Sequence, residues 1–336
     1  MTFQASDYAV HDGTADPSQE PEARKEIAGR SPTRIAFDRL KKDPIAVICF
    51  LVVVMFALIA IFADPLQSLL GVSTETVRAT DVIDPITRLP LEGPPNGSYD
   101  PDHPFGVAPG NGTDNLAVWI EGCRTSLYLA TVAAVLSTII GVTLGLVAGF
   151  MGGFVDSVIS FGTDLFLTFP FLVMALAISP ILNDRFGDDT EKLTFASFYS
   201  LVAILVVFGW MGVARLVRGE VLSLREREFV KAARVIGVPT HRILIREMLP
   251  NLIAPIVISF SLGLPAYVAA EAGLSYLGIG VFGRESWGQT IAAATKWWEA
   301  YPLYLLEPVV GIAILVVALN LLGDALRDAF DPKTRR

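Results

Sequence analysis

Several carboxylates lie beside long uncharged segments of this 336-residue chain. Asp156, Asp164, Glu271 and Asp324 each fall near the end of an apolar block. An ionised carboxylate inside a membrane is costly and usually faces a helix-bundle interior or an aqueous cavity. Asp156 also suits the first turn of a helix, where an acid complements the helix dipole. These groups are therefore the first candidates for a site within the membrane.

Glu271 is the strongest of these candidates. Small residues surround it at Ala270, Ala272 and Gly273, which predicts close packing against another helix. The carboxylate would then either pair with a neighbouring helix or line a path through the bundle. A glycine and a proline upstream predict a kink in the same segment. The candidate substrate-path or gate residues are Asp164, Gly263, Pro265, Glu271 and Trp287.

Other kinds of chemistry are disfavoured. The two cysteines, Cys49 and Cys123, have no spacing suited to a metal site and are best explained as small apolar residues. The chain has no Gly-x4-Gly-Lys-Ser/Thr phosphate loop, so it is not predicted to hydrolyse ATP. Its net charge of −8 argues against a nucleic-acid partner, which requires a basic face.

The elements that must position these residues are transmembrane helices. The chain is 52% hydrophobic and only 18% charged, whereas about a quarter of a soluble domain is charged. The apolar blocks do not alternate as the strands of a transmembrane barrel do. They predict an all-α, polytopic membrane protein with about six transmembrane helices. The predicted spans are residues 45–63, 126–150, 165–182, 194–214, 252–270 and 309–323, the last extended by 303–306 across Glu307-Pro308.

The basic residues predict the orientation of these spans. With six crossings, both termini and the segment 215–251 share one side, which carries nineteen of the 26 Lys and Arg residues. Because cytoplasmic segments are enriched in Lys and Arg, both termini are predicted to be cytoplasmic. The chain is accordingly expected in the cell (plasma or inner) membrane.

Five segments follow from this topology. Residues 1–33 are predicted as a disordered cytoplasmic tail, and 34–63 as a cytoplasmic entry helix with the first span. Residues 64–125 form an external loop that ends in a short interfacial helix at 115–122. Residues 126–332 hold the other five spans, and 333–336 a cytoplasmic tail. The aromatic residues of 283–304 indicate either an interfacial belt or a lid at an outer mouth.

The cytoplasmic loop 215–251 is too structured to be a simple connection. Good helix formers predict a helix over 220–234, which Gly237 ends ahead of Pro239. The topological bias explains its basic residues but not its small residues, Ala232, Ala233 and Gly237. Small side chains on an exposed helix allow another protein to approach closely.

This loop resembles the EAA loop of binding-protein-dependent ABC importer permeases. Lys231 stands where the name of the motif places Glu. The resemblance continues over residues 34–332 and is closest to the dipeptide/oligopeptide/nickel branch. The matching loop residues are Glu228, Lys231, Ala232, Ala233, Arg234, Gly237, Arg242, Leu249 and Pro250. Further matches are His103-Pro104-Phe105-Gly106, Glu271-Ala272, Leu274-Ser275-Tyr276-Leu277-Gly278, Ser286-Trp287-Gly288 and Asn320-Leu321-Leu322-Gly323-Asp324.

The resemblance implies a type I ABC importer permease that moves peptides or a related small solute by alternating access. The loop would bind a separate ATPase subunit and pass its motion to the spans. The implied partners are a second homologous permease, two ATP-binding ATPase subunits and an extracytoplasmic solute-binding protein, within a lipid bilayer. This chain would bind no cofactor, since ATP and Mg would sit on the ATPase subunits.

Other functions remain open at this point. An ion-coupled secondary transporter would require inverted repeats and interrupted helices with polar residues at mid-membrane, and neither repeats nor a buried charged pair are evident. A membrane scaffold would not require the small residues of the loop. An ABC permease for nickel or another non-peptide solute is also compatible with these motifs.

The predicted topology can be tested by labelling single cysteines in a background without Cys49 and Cys123. We expect positions 225 and both termini to react only from the cytoplasmic side, and positions 96 and 189 only from outside, because the basic residues favour that orientation. Reaction of position 225 with an impermeant external reagent would contradict six crossings with this orientation.

Overall fold

The computed structural model describes residues 32–74, 82–95 and 99–331. Both predicted tails lie outside these ranges, except that a helix already begins at Pro32. The described residues form helices and no strand longer than an isolated bridge. The helices are α1 (Pro32–Leu40), α2 (Pro44–Ile61), α3 (Ala63–Leu70), α4 (Asn115–Met151), α5 (Gly153–Thr168), α6 (Phe171–Phe186), α7 (Thr190–Leu224), α8 (Glu228–Val235), α9 (Thr240–Ile279), α10 (Trp287–Ala294) and α11 (Pro302–Phe330).

Five helices are long and apolar enough to cross a membrane, namely α2, α4, α7, α9 and α11. Together α5 and α6 form a sixth candidate, but they are bent by 76°. The prediction of one uninterrupted helix over 165–182 is therefore wrong. Phe169 has an extended backbone (φ −77°, ψ 131°) because the residue before Pro170 is sterically disfavoured in the helical region.

Of two further sequence predictions about helix boundaries, one is wrong and one is confirmed. The separate interfacial helix at 115–122 is wrong, because the helix that Asp114 caps through the amide of Ala117 (2.9 Å) continues to Met151. By contrast, α11 does extend through Glu307-Pro308, so the predicted lengthening of the last span is confirmed.

Close packing of α4 against α7 organises the bundle. Three glycines of α4 face three valines of α7 in the same order along both helices: Gly141–Val213, Gly145–Val217 and Gly149–Val221. The two helices are therefore parallel, and the chain between them must return across the membrane. The bent pair α5–α6 makes that crossing, which gives six spans.

The remaining spans close the bundle around this pair. α9 packs between α4 and α11, and α2 packs on α4 and α11. At one end, Arg39 of α1 donates to the carbonyl oxygens of Ala329 (3.3 Å) and Asp331 (3.1 Å). The two ends of the described chain thus lie on the same side, as an even number of crossings requires.

We expect Gly145→Ala to lower the melting temperature of the detergent-solubilised protein. The added β-carbon would lie 2.6 Å from the carbonyl oxygen of Ala214, so the two helices would have to separate. Such overpacking typically costs ~1–3 kcal/mol, more than the about 1 kcal/mol that alanine gains in helix propensity.

Gly162→Ala is the matched control, because a β-carbon there meets no atom within 4 Å. It should leave the melting temperature unchanged or raise it. Equal melting temperatures for the two variants would contradict the close contact between α4 and α7.

Candidate functional site

The predicted loop 215–251 is mostly helical in the structure. The single helix expected over 220–234 is wrong: α7 ends at Leu224 and α8 begins at Glu228. Arg227 between them has an extended backbone (φ −71°, ψ 147°). Glu226 pairs with Lys231 at 3.2 Å, and the hydrogen bond and charge of this lysine hold the pKa of the Glu226 carboxyl below its usual value.

One face of α8 is buried against the transmembrane helices. Val230 and Ala233 pack in one cluster with Phe150 of α4, Val221 of α7 and Met248 of α9. The prediction that Ala232, Ala233 and Gly237 form one exposed surface is therefore wrong for Ala233. Its small side chain allows α8 to approach the rest of this chain.

Gly237 ends α8 as predicted, and its role there is conformational. Its φ of +79° lies in the left-handed region that favours glycine. The amide of Gly237 donates to the carbonyl oxygen of Arg234 (3.1 Å), and the amide of Val238 donates to the carbonyl oxygen of Ala233 (3.0 Å). These are the two hydrogen bonds of a Schellman C-cap. This turn directs the chain from α8 back into α9.

The outer side of α8 ends in two uncovered apolar residues. Val235 is 86% exposed and Ile236 is 77% exposed. Ala232 and Lys231 are exposed beside them, and the guanidinium of Arg234 lies 4.3 Å from the ring centre of Phe150. We call Ala232, Val235 and Ile236 the outer patch. An apolar patch rimmed by charged residues is typical of a protein–protein contact.

The other matched loop residues surround this element. Leu249 packs against the same buried cluster as Ala233. Glu228, Arg242 and Pro250 are exposed.

Glu271 occupies a fully buried position among serine hydroxyls. Ser275, one turn further along α9, donates to its carboxyl at 2.7 Å, and Ser126 of α4 and Ser286 before α10 lie beside it. The second carboxyl oxygen has no hydrogen-bond partner in the structure. Glu271 thus lies where α4, α9 and the start of α10 meet. The predicted tight packing is confirmed for Glu271 and Ala272, which are buried, but not for Gly273, which is exposed.

Trp287 also belongs to the packed interior. Its indole N–H donates to the carbonyl oxygen of Trp119 at 3.0 Å, and its ring packs against Phe56. The side chain is completely buried. It is therefore not part of an exposed interfacial belt, and its role in a path or gate stays a prediction.

Asp164 is held outside the bundle interior. It accepts a hydrogen bond from Arg215 of α7 at 2.6 Å, and both side chains are exposed. α9 remains helical through Gly263 and Pro265, so the kink predicted there stays a prediction. The irregular turn lies at Gly278, where φ is +85°.

A cleft of about 420 Å³ opens between α6, α7, α10, the end of α9 and the segment that follows α9. Neutral polar side chains line it, including Ser179, Ser197, Ser200, Tyr276 and Gln289. None of the five predicted path residues lines this cleft, although Ser275 next to Glu271 does. In the described part of the chain, the path residues thus do not form one site.

Several of these features were absent from the sequence prediction. Helical spacing places Val235 on the side opposite Val230 and Ala233, so its exposure could have been predicted. Ile236 follows Ala233 by three residues and gave no such signal. The serines around Glu271 come from segments far apart in the chain and give no local signal.

Comparison with known proteins places the chain in a family. The model described as binding-protein-dependent transport system inner membrane component matches residues 141–336. The model described as the N-terminal TM domain of oligopeptide transport permease C matches residues 31–70.

Two relatives match over nearly their whole length. The dipeptide transport system permease protein DppC of Alkalihalophilus pseudofirmus is 34% identical over 327 residues, 96% of each chain. The oligopeptide transport system permease protein OppC of Escherichia coli is 34% identical over 311 residues, 92% of this chain and 94% of the relative.

A solved structure supports the fold. The MetNI methionine ABC transporter in an inward-facing conformation aligns with a TM-score of 0.50 and 18% identity, over 64% of this chain and 97% of that chain. This likeness confirms the predicted all-α permease fold. Together with the sequence matches, it favours an importer permease over an ion-coupled transporter or a scaffold: the chain belongs to the inner-membrane components of binding-protein-dependent transport systems.

Proposed function

We propose that this chain forms part of the translocation path of an ATP-driven importer for peptides. The substrate class is supported by the relatives, which are named as dipeptide and oligopeptide permeases and match over more than nine-tenths of the chain. The neutral lining of the 420 Å³ cleft is compatible with this class, because hydroxyl and amide groups can bond peptide main chains without selecting side-chain charge.

The observation that carries the proposal is the two-sided packing of α8. Its inner face is fixed to α4, α7 and α9, whereas the outer patch ends in Val235 and Ile236, which no described residue covers. An element anchored in this way can receive a force at its outer side and pass it to the spans. The outer patch is accordingly the contact for a separate ATPase subunit.

The complete transporter would contain a second homologous permease, two ATPase subunits and an extracytoplasmic solute-binding protein. The family description, which names binding-protein dependence, supports the last of these. ATP and Mg would bind to the ATPase subunits, and this chain would alternate between outward- and inward-open states without covalent chemistry.

The outer patch and both termini would face the cytoplasm. The bias of basic residues supports this orientation. The contact of α1 with the end of α11 supports the shared side of the two ends of the described chain.

We expect Ile236→Asp to abolish co-purification of the ATPase subunit with the permease. The new carboxylate would be desolvated without a partner in the contact, a cost of ~3 kcal/mol or more and a roughly hundredfold loss of affinity. The permease should still insert, because position 236 lies outside the spans. The measurement is the amount of ATPase retained by the tagged permease after detergent extraction.

Ile86→Asp provides the matched control. Ile86 is the same residue type, is 89% exposed and lies in the predicted external loop. The same substitution there should leave ATPase retention at the wild-type level. Full retention in Ile236→Asp would mean that the ATPase binds elsewhere.

A further inference from the structure

Three arginines of the neighbouring elements hold the region around the turn between α4 and α5. They are Arg218, Arg225 and Arg234, and we call their contacts the clamp. The turn is formed by Gly152 and Gly153, which both have positive φ (66° and 55°). Just before it, the carbonyl oxygen of Gly149 accepts a hydrogen bond from Arg225 at 3.2 Å. Arg225 is the cap residue that follows α7, in the short connection to α8.

The strongest contact of this clamp follows the turn. Arg218 of α7 binds Asp156 in the first turn of α5 through both carboxyl oxygens, at 2.5 and 2.7 Å. Ser160 adds a hydrogen bond to the same carboxyl group at 3.2 Å. A bidentate arginine–carboxylate pair fixes orientation as well as distance.

The clamp also reaches α8. Arg234 of α8 lies over the ring of Phe150, the penultimate residue of α4. Phe150 in turn packs in the same cluster as Val230 and Ala233. The end of α4 therefore contacts α8, and the turn that follows it leads to Asp156 in α5.

Packing alone holds α5 weakly. Within α5, all of which the structure describes, only Thr163 is buried. Phe154 is 83% exposed and Phe161 is 69% exposed. Because the described residues cover so little of its surface, the position of α5 depends on its polar contacts with α7.

We infer that the Arg218–Asp156 pair is a positioning contact that transmits displacement of α8 to the broken span α5–α6. The inference rests on the proposed function, in which an ATPase moves α8. The pair joins α7 to the first turn of α5, so a shift at the end of α7 displaces α5 and, through the bend at Phe169-Pro170, α6. The neighbouring Arg215–Asp164 pair joins the same two helices through one hydrogen bond, away from the turn and with both side chains exposed.

The test uses the whole transporter in native membranes, with Cys49 and Cys123 replaced by alanine and a cysteine introduced at Ile181. Ile181 lies in α6 and is exposed. The measured quantity is the rate of maleimide reaction at this cysteine, with and without a non-hydrolysable ATP analogue. We expect the analogue to change the rate in the parent protein and to have no effect in Asp156→Asn, while ATPase co-purification persists.

A charge swap and a control distinguish the loss of transmission from α8 to α5–α6 from a general loss of folding or assembly. Asp156→Arg combined with Arg218→Asp restores the ion pair and should restore the response to nucleotide. Asp164→Asn should keep the full response. If Asp156→Asn fails to insert or loses the ATPase, the swap decides: a restored response supports the inference, and no response overturns it.

Two results would overturn the inference outright. One is a full response in Asp156→Asn, and the other is no response in the parent protein while the ATPase is bound. Both leave the proposed function standing. Failure of the parent permease to retain any ATPase would instead contradict the proposed function.

Discussion

The absence of side chains on one face of α4 allows its backbone to approach that of α7. Gly145 and Gly149 lie so close to α7 that an added β-carbon would come within 2.6–2.7 Å of it. This contact makes the two helices parallel, so α5–α6 has to cross the membrane between them. It also aligns the ends of both helices, where Phe150 and Val221 form the surface on which α8 packs.

The coupling role proposed for α8 depends on that surface. A helix of eight residues is too short to be stable alone in water, so its position is set by Val230 and Ala233 on its inner side and by the Gly237 cap at its end. Of the surface that stays exposed, the outer patch carries the two most exposed apolar residues, Val235 and Ile236, and is the part proposed to bind a partner. Side-chain size at Ala233 therefore controls how α8 sits on the bundle, and the residues next to Gly237 control what it binds.

The sequence predicted the spans well, because uninterrupted apolar segments are required in a bilayer. It failed where tertiary contacts decide the outcome. Pro170 could be read from the sequence, but the 76° bend between α5 and α6 depends on what packs around this proline. The break at Arg227 interrupts a run of good helix formers, and the distinction between Ala233 inside and Ile236 outside required knowing which face meets Phe150. The small neighbours of Glu271 predicted its close packing. The serines from distant segments beside it, and the contacts that bury Trp287, could not be anticipated.

The central claim is that the outer patch of α8 contacts an ATPase subunit. It is tested most directly by a photo-crosslinking amino acid placed at position 236 of the permease in intact membranes, followed by identification of the crosslinked partner. The proposed function predicts a covalent product with a polypeptide that contains an ATP-binding phosphate loop. Crosslinks confined to lipid or to the permease itself would contradict it.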